Sequence, residues 1–379
     1  MERRSPILGV AALAVVVVAV HLLTAALGKP FYLTQLSMAA YYAIVVMGLC
    51  LVMGYAGQIS LGHGAFFAIG GYTSAFLTTR NVGARLPAGL REALGHVGAL
   101  APRQDLYGAD VVAVSPWLAC AIALAVAAAL ALAVGYPALR LKGYYLAMGT
   151  LGFGLIIYRV LLGTDALGGV DGIVSVPPWH LLPGIEITGG KPHRVVNYYV
   201  AWGAALAVLL LILNLTESRV GRALRSIHGG ERAANAMGVD TAGYKLKAFA
   251  LSAVIAALAG CLFTHYNGGI DPSEAGVMKS VRYVALVATG GMANVWGALV
   301  LGAGLTFLSL RGWFGSFDHA VFGGLLIAIM SLAPEGPLRP LASWLARVGV
   351  RCRPRSGTGK PEPETGSPRS EAPNPRPET

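Results

Sequence analysis

Runs of about 20 apolar residues recur along this chain, and each is long enough to cross a bilayer. Ile7 to Leu27, Leu33 to Met53, Pro116 to Leu139, Tyr144 to Leu162, Tyr198 to Leu215 and Ala248 to Tyr266 read as spans, and a shorter run, His319 to Leu332, reads as a last one. Backbone groups in lipid must be satisfied within the segment that carries them, so repeated runs of this length leave little but a helical bundle. Composition agrees. Of 379 residues 55% are hydrophobic and 12% charged, whereas soluble domains carry about 25% charged residues. A β-barrel would need alternating stretches of about 10 residues instead. The expected fold is an all-α integral membrane protein, a polytopic bundle with broken or re-entrant glycine-rich segments and about nine or ten membrane segments. Residues 1–335 form the membrane domain. Residues 336–379, rich in Pro, Ser, Glu and Arg without apolar periodicity, form a basic tail expected to be disordered.

Two glycine-rich stretches depart from a plain lipid-facing helix. The first, Gly54 to Leu77 (GYAGQISLGHGAFFAIGGYTSAFL), places Gln58, Ser60 and His63 among six glycines that include Gly64. Small residues pack membrane helices closely, and polar groups at membrane depth face protein or a water-filled path. Close packing and a broken segment lining a translocation path are both open readings. His63 is either a hydrogen-bonded structural histidine or a solute contact. The second stretch, Val281 to Leu310, is interrupted at GGMANVWG, which contains Asn294, and is expected to form two shorter segments. These path candidates offer no group that reads a charge.

Between the spans lies one charged island, residues 216–247, carrying Arg219, Arg222, Arg225, Arg232, Lys245 and Lys247. Basic loops mark the cytoplasmic side. Together with Arg3 and Arg4 ahead of the first span and the arginines of the tail, this puts both termini there. Two accounts of the formal charge of +11 compete, nucleic-acid binding and positive-inside loops with a basic tail; the second accommodates most of the basic residues. Val220, Ala223, Leu224 and Ile227 fall at i, i+3, i+4 and i+7, predicting a short amphipathic helix capped by Ser218. Gly229-Gly230 ends it, and a second short helix runs from about Glu231 to Met237 with Gly238 as its stop. A helix–turn–helix on the inner face of a bundle has the form of a docking surface.

The outer loops, 80–114 and 163–196, are read as polar turns, and Asn267 to Lys279 as a short connection. Arg159 near the outer end of its span is read as snorkelling. Four scattered cysteines have neither metal nor redox spacing. The chain carries no P-loop: around Gly357-Thr-Gly-Lys360, Pro354 and Pro361 occupy positions the motif needs for Gly and Ser/Thr. No HExxH, nucleophile elbow, pair of intramembrane acids or arginine ladder is present. A path through the membrane without an engine is what remains.

Several motifs, taken together, resemble one family. Gly54-Tyr-Ala-Gly-Gln58-Ile-Ser-Leu-Gly-His63-Gly-Ala-Phe-Phe-Ala-Ile-Gly70, the island from Ser218 to Phe249, and Gly290-Gly-Met-Ala-Asn-Val-Trp296-Gly-Ala are similar to the signatures of branched-chain amino acid ABC transporter permeases. Leu139-Arg-Leu-Lys-Gly143-Tyr-Tyr-Leu-Ala-Met148 and Gly169-Val-Asp-Gly172-Ile make the resemblance one to the LivM type over roughly residues 33–333. The resemblance implies a non-hydrolysing subunit of the bacterial inner membrane that binds no cofactor. ATP would be used by two cytoplasmic subunits. The implied partners are a second permease of the LivH type, an extracytoplasmic binding protein and the lipid bilayer, with no nucleic acid. Arg222, Arg225, Glu231, Ala233, Ala234 and Gly238 would make the ATPase contact. Ala233, Ala234 and Gly238 match the importer pattern Glu-Ala-Ala-x-x-x-Gly, with Arg232 in place of its glutamate; the pattern's later Ile-x-Leu-Pro is absent. Gln58, Ser60, His63, Gly64 and Asn294 are the candidate path residues. A urea or short-chain amide permease of the same family, and an ATPase-independent transporter or channel, are the alternatives.

Overall fold

The computed structural model describes residues 6–81, 100–104, 110–138, 143–182 and 184–312, with single positions at 320, 323, 324, 327 and 331. Arg3, Arg4, Arg140, Lys142, most of the run from His319 to Leu332 and the tail lie outside the described residues. Eleven helices carry the described chain: α1 (Pro6–Ala26), α2 (Phe31–Cys50), α3 (His63–Thr79), α4 (Pro116–Ala138), α5 (Tyr144–Gly163), α6 (Arg194–Glu217), α7 (Arg219–Gly229), α8 (Glu231–Ala236), α9 (Thr241–Asn267), α10 (Val277–Gly290) and α11 (Val295–Leu310). Among them six are long and apolar enough to cross a membrane: α1, α2 with its extension to Tyr55, α4, α5, α6 with the turn before it, and α9. α3, α10 and α11 are shorter, at 17, 14 and 16 residues. The expected division of Val281 to Leu310 is present, although its first half begins earlier, at Val277.

The core sits on α2, α3 and α9. α2 is largely apolar and buried on nearly every side, packed among α6, α9, α10 and α11. α3 and α9 run side by side in the same direction and meet through small residues. A Cβ at Gly70 would strike the Ala257 backbone, and one at Gly260 would strike the Phe67 carbonyl. Removing side chains from both faces of a crossing is what lets two membrane backbones approach this closely. α4 packs on both α3 and α9, while α6 and α11 flank α2. α1 packs on α6 and turns Val15, Leu22 and Leu23 outward.

Gly54 to Leu77 is not one helix. α2 runs into a π-turn, Leu51–Tyr55, and the chain then follows an irregular path until α3 starts at His63. Gly57 adopts a left-handed φ of 67° within this break. The connections expected on the outer side hold more order than a run of turns. Leu100–Gln104 pairs antiparallel with Asp110–Val114, Ile173–Val174 with Gly269–Ile270, and Trp179–Leu182 with Ile185–Ile187. Gly168, Gly169 and Gly172 all have positive φ, and a Cβ at Gly172 would meet the Ile270 carbonyl, so that glycine cluster seats the 163–196 connection on the end of α9.

Candidate functional site: a basic elbow on a broken helix

The island folds as a compact elbow. Ser218 Oγ accepts a hydrogen bond from the Val220 N–H at 3.1 Å and starts α7. Leu224 and Ile227 are buried and Val220 packs partly against the core, so the apolar stripe faces inward. Gly221 lies directly on the Thr216 backbone at the end of α6. Arg225 donates from its guanidinium to the Thr216 and Gly221 carbonyls, and Arg222 to the Glu217 carbonyl at 3.3 Å. Two arginines thus complete the carboxyl end of α6, where unsatisfied carbonyls concentrate negative charge.

α8 is tied to α9 from both ends. Glu231 pairs with Lys245 at 2.7 Å, and Thr241 Oγ1 donates to Asn235 Oδ1 at 3.2 Å. Gly238 closes the helix with φ at 81°, and Asp240 then caps α9 through the Gly243 N–H. Ala234 is 4% exposed and turned into this chain. Ala233, Asn235, Ala236 and Met237 face outward, with Met237 84% exposed. The elbow's outward surface therefore consists of small residues and one methionine, with Arg219, Arg222 and Arg232 exposed around them.

Beneath the elbow lies the break in the α2–α3 segment. The left-handed Gly57 sits against His228 at the end of α7, where a Cβ would come within 2.9 Å of His228 Nδ1. The Gly290-to-Trp296 turn reaches the same place: Gly54 lies on the Met292 carbonyl, and Cys50 Sγ donates to that carbonyl at 3.4 Å. Gly57 thus meets the elbow directly, and the Gly290-to-Trp296 turn packs on the end of the α2 segment through Gly54 and Cys50.

Farther along, the candidate path residues separate into different roles. His63 is 1% exposed, and both of its ring nitrogens are engaged. Ser252 Oγ donates to the Gly48 carbonyl at 2.6 Å, so it accepts from His63 Nε2–H, also at 2.6 Å. Ser60 Oγ, 3.1 Å away, then donates to Nδ1. This chain of bonds fixes the Nε2–H tautomer and ties α2, α3 and α9 together, about 16 Å along α9 from its first residue. Ser252→Ala should leave the His63 N–H buried without an acceptor and lower stability by about 1–3 kcal/mol. Thermal unfolding in detergent measures the loss, and transport per folded molecule should stay near wild type. Asn294 Oδ1 accepts from the Gly297 N–H at 3.2 Å and caps α11. Gly64 allows α3 to approach Ser280, whose Oγ would be 2.6 Å from an added Cβ. Gln58 is 4% exposed, and its Oε1 has no hydrogen-bond partner among the described residues.

A family described as "Branched-chain amino acid transport system / permease component" matches residues 31–330. The chain belongs to that family. Among its relatives, the high-affinity branched-chain amino acid transport system permease protein LivM of Salmonella typhimurium is 30% identical over 344 residues, covering 84% of this chain and 73% of the relative. LivM of Escherichia coli K12 is also 30% identical, covering 84% and 74%. The LivH permease protein of the same E. coli strain is 24% identical, covering 80% and 92%. The likeness to LivM is thus the stronger of the two. No solved structure matches the chain.

One charged cluster of this permease lies apart from the candidate path residues. Glu274, 4% exposed, lies in a single turn, Pro272–Ala275, ahead of α10. Its Oε1 accepts from Lys279 Nζ at 2.8 Å and from the Tyr42 hydroxyl at 3.0 Å. Arg282 follows one turn later on α10. Lys279 stands inside the helix rather than in a connection, which is why the cluster escaped a reading that ended the loop at that residue. The missed signal is helical: Lys279, Arg282, Tyr283 and Leu286 occupy i, i+3, i+4 and i+7, one face of α10.

Proposed function

We propose that this permease is the membrane-spanning subunit of an ATP-driven importer for branched-chain or related hydrophobic amino acids. It works beside a second, homologous permease in the bacterial inner membrane, with the elbow and both termini on the cytoplasmic side. Two ATP-binding subunits grip the elbow, and an extracytoplasmic binding protein delivers solute at the opposite end. This chain hydrolyses nothing; nucleotide belongs to its partners.

The observation that carries this reading is the elbow's construction. Its inward stripe is anchored on the ends of α6 and α9, and its outward surface is small and rimmed by arginines. Small side chains let a short helix sit deep in a groove, and a cationic rim suits an acidic one. The elbow also rests on the one irregular backbone stretch of the α2–α3 segment, so a push on α8 reaches the break through His228 and Gly57. Because Ala234 is turned inward, the contact with a partner falls to Ala233, Ala236 and Met237.

The test is co-purification. In the complete transporter, Ala233→Arg with Met237→Glu should remove the ATP-binding subunits from the purified complex and abolish uptake, with membrane abundance of the permease unchanged. Retention of those subunits together with normal uptake would rule out the elbow as the grip. A complex without any nucleotide-hydrolysing subunit would rule out the importer itself.

A further inference from the structure

We propose that the outward face of α5, together with the break that lies against it, is the surface on which the second, homologous permease packs. This rests on the importer reading above and deepens it by naming where that partner sits. α1 and α5 are the spans least covered by the rest of the chain. Their bare faces differ. α1 presents Val15, Val16, Val18, Leu22 and Leu23, an apolar coat that suits lipid tails. α5 presents Tyr145, Met148, Ile156 and Val160, each half or more exposed, and sets Gly149 and Gly152 between them at helical spacing. A Cβ at Gly152 or at Gly163 would meet nothing within 4 Å, so this stripe is notched and its notches are open. Small residues on a membrane helix let another helix approach closely.

The break supplies a second, independent sign. The Leu61 N–H donates to Thr150 Oγ1 at 3.0 Å, and Gly62 lies on the Thr150 carbonyl. The non-helical chain therefore runs against α5 about 9 Å along that span from its first residue. Ile59, two residues earlier, is 41% exposed, and Gly57 is exposed as well. The backbone N–H groups of Ile59 and Ser60 have no hydrogen-bond partner among the described residues. Irregular backbone at membrane depth is tolerated where protein covers it or water lines it, not against lipid tails. A bilayer alone therefore does not suit this side of the subunit. A protein neighbour that leaves a wet crevice along the break satisfies both the notched stripe and the open backbone.

Arg159 separates the kinds of protein neighbour. It stands exposed on the same helix, beside a shallow depression formed with Leu155, Ile156, Val160, Gly163 and Thr164. Two copies of one chain share an orientation in the membrane, so a symmetric contact through α5 would set Arg159 against Arg159 at the same depth. Like charges brought together at the edge of a bilayer repel with little water to screen them. A homologous chain with a different residue at that position escapes the clash, and one with an acidic group there would pair with the arginine. An ATP-binding subunit gripping the elbow lies outside the bilayer and does not reach Ile156 or Val160.

Photo-crosslinking in the complete transporter tests this. Met148→p-benzoylphenylalanine and Ile156→p-benzoylphenylalanine are compared with Leu22→p-benzoylphenylalanine on α1, each illuminated in the native membrane. Both α5 probes should join this chain to the second permease, with about tenfold or more of that adduct over the α1 probe. Gly152→Trp places its side chain in open space, so the fold of this subunit does not resist it. It should lower the amount of second permease recovered with this subunit about tenfold or more, with membrane abundance of this subunit unchanged. Adducts of both α5 probes with lipid alone, with a second copy of this chain, or within the chain would overturn the proposal. So would full recovery of the second permease with Gly152→Trp. A wild-type complex that contains no second permease would overturn the importer reading together with this one.

Discussion

Gly260→Val is expected to cost the permease about 3 kcal/mol or more and to leave little assembled protein in the membrane. The added side chain would enter the Phe67 carbonyl of α3, and neither backbone can retreat without opening the crossing that buries both helices. Overpacking of this kind strikes main chain, so no rotamer change relieves it. The matched control is Gly203→Ala on α6, where a Cβ meets nothing within 4 Å. It should be neutral within about 0.5 kcal/mol. Fluorescence-detected size exclusion and thermal unfolding of the solubilised protein compare the two. A Gly260→Val protein as stable as wild type would mean that α3 and α9 do not meet through these glycines.

Gly57→Val should separate docking from transport. Valine is strained in the left-handed conformation that Gly57 adopts, and its Cβ would press on His228 at 2.9 Å. The outward surface of α8 is untouched by this change. ATP-binding subunits should therefore still co-purify, while amino-acid uptake falls tenfold or more and hydrolysis no longer responds to loaded binding protein. Combining Gly57→Ala with His228→Ala removes the steric contact and should recover part of the uptake lost in Gly57→Ala alone; such recovery measures the coupling between the two positions. Unaltered uptake in Gly57→Val would mean that the break beneath the elbow does not transmit its motion.

The membrane spans could be read from run length alone, because the bilayer demands it. The elbow's first helix could be read from Val220, Ala223, Leu224 and Ile227, and its ends from Ser218 and Gly238, since caps and periodicity are local signals. The interruption at GGMANVWG was legible for the same reason. What sequence could not supply was pairing at a distance. Ser252 is the partner of His63 from 189 positions away, and nothing near His63 names it. Asn294 was grouped with the path candidates, while its side chain caps α11; an Asn three residues ahead of Gly297 at a helix start was the available clue. The cation face of α10 was hidden by an assumed boundary: a helix beginning at Val281 leaves Lys279 outside the period, and one beginning at Val277 brings it in.

The notched contact between α3 and α9 limits how this bundle can move. Gly70 faces Ala257, and Gly260 faces Phe67 and Gly71. A slip of one helix along the other by a turn would drive full side chains into backbone at every notch. The two helices are keyed together like a mortise joint, able to tilt as one piece and barred from sliding. Any opening of this subunit must therefore carry α3 and α9 together, not displace one past the other like an elevator.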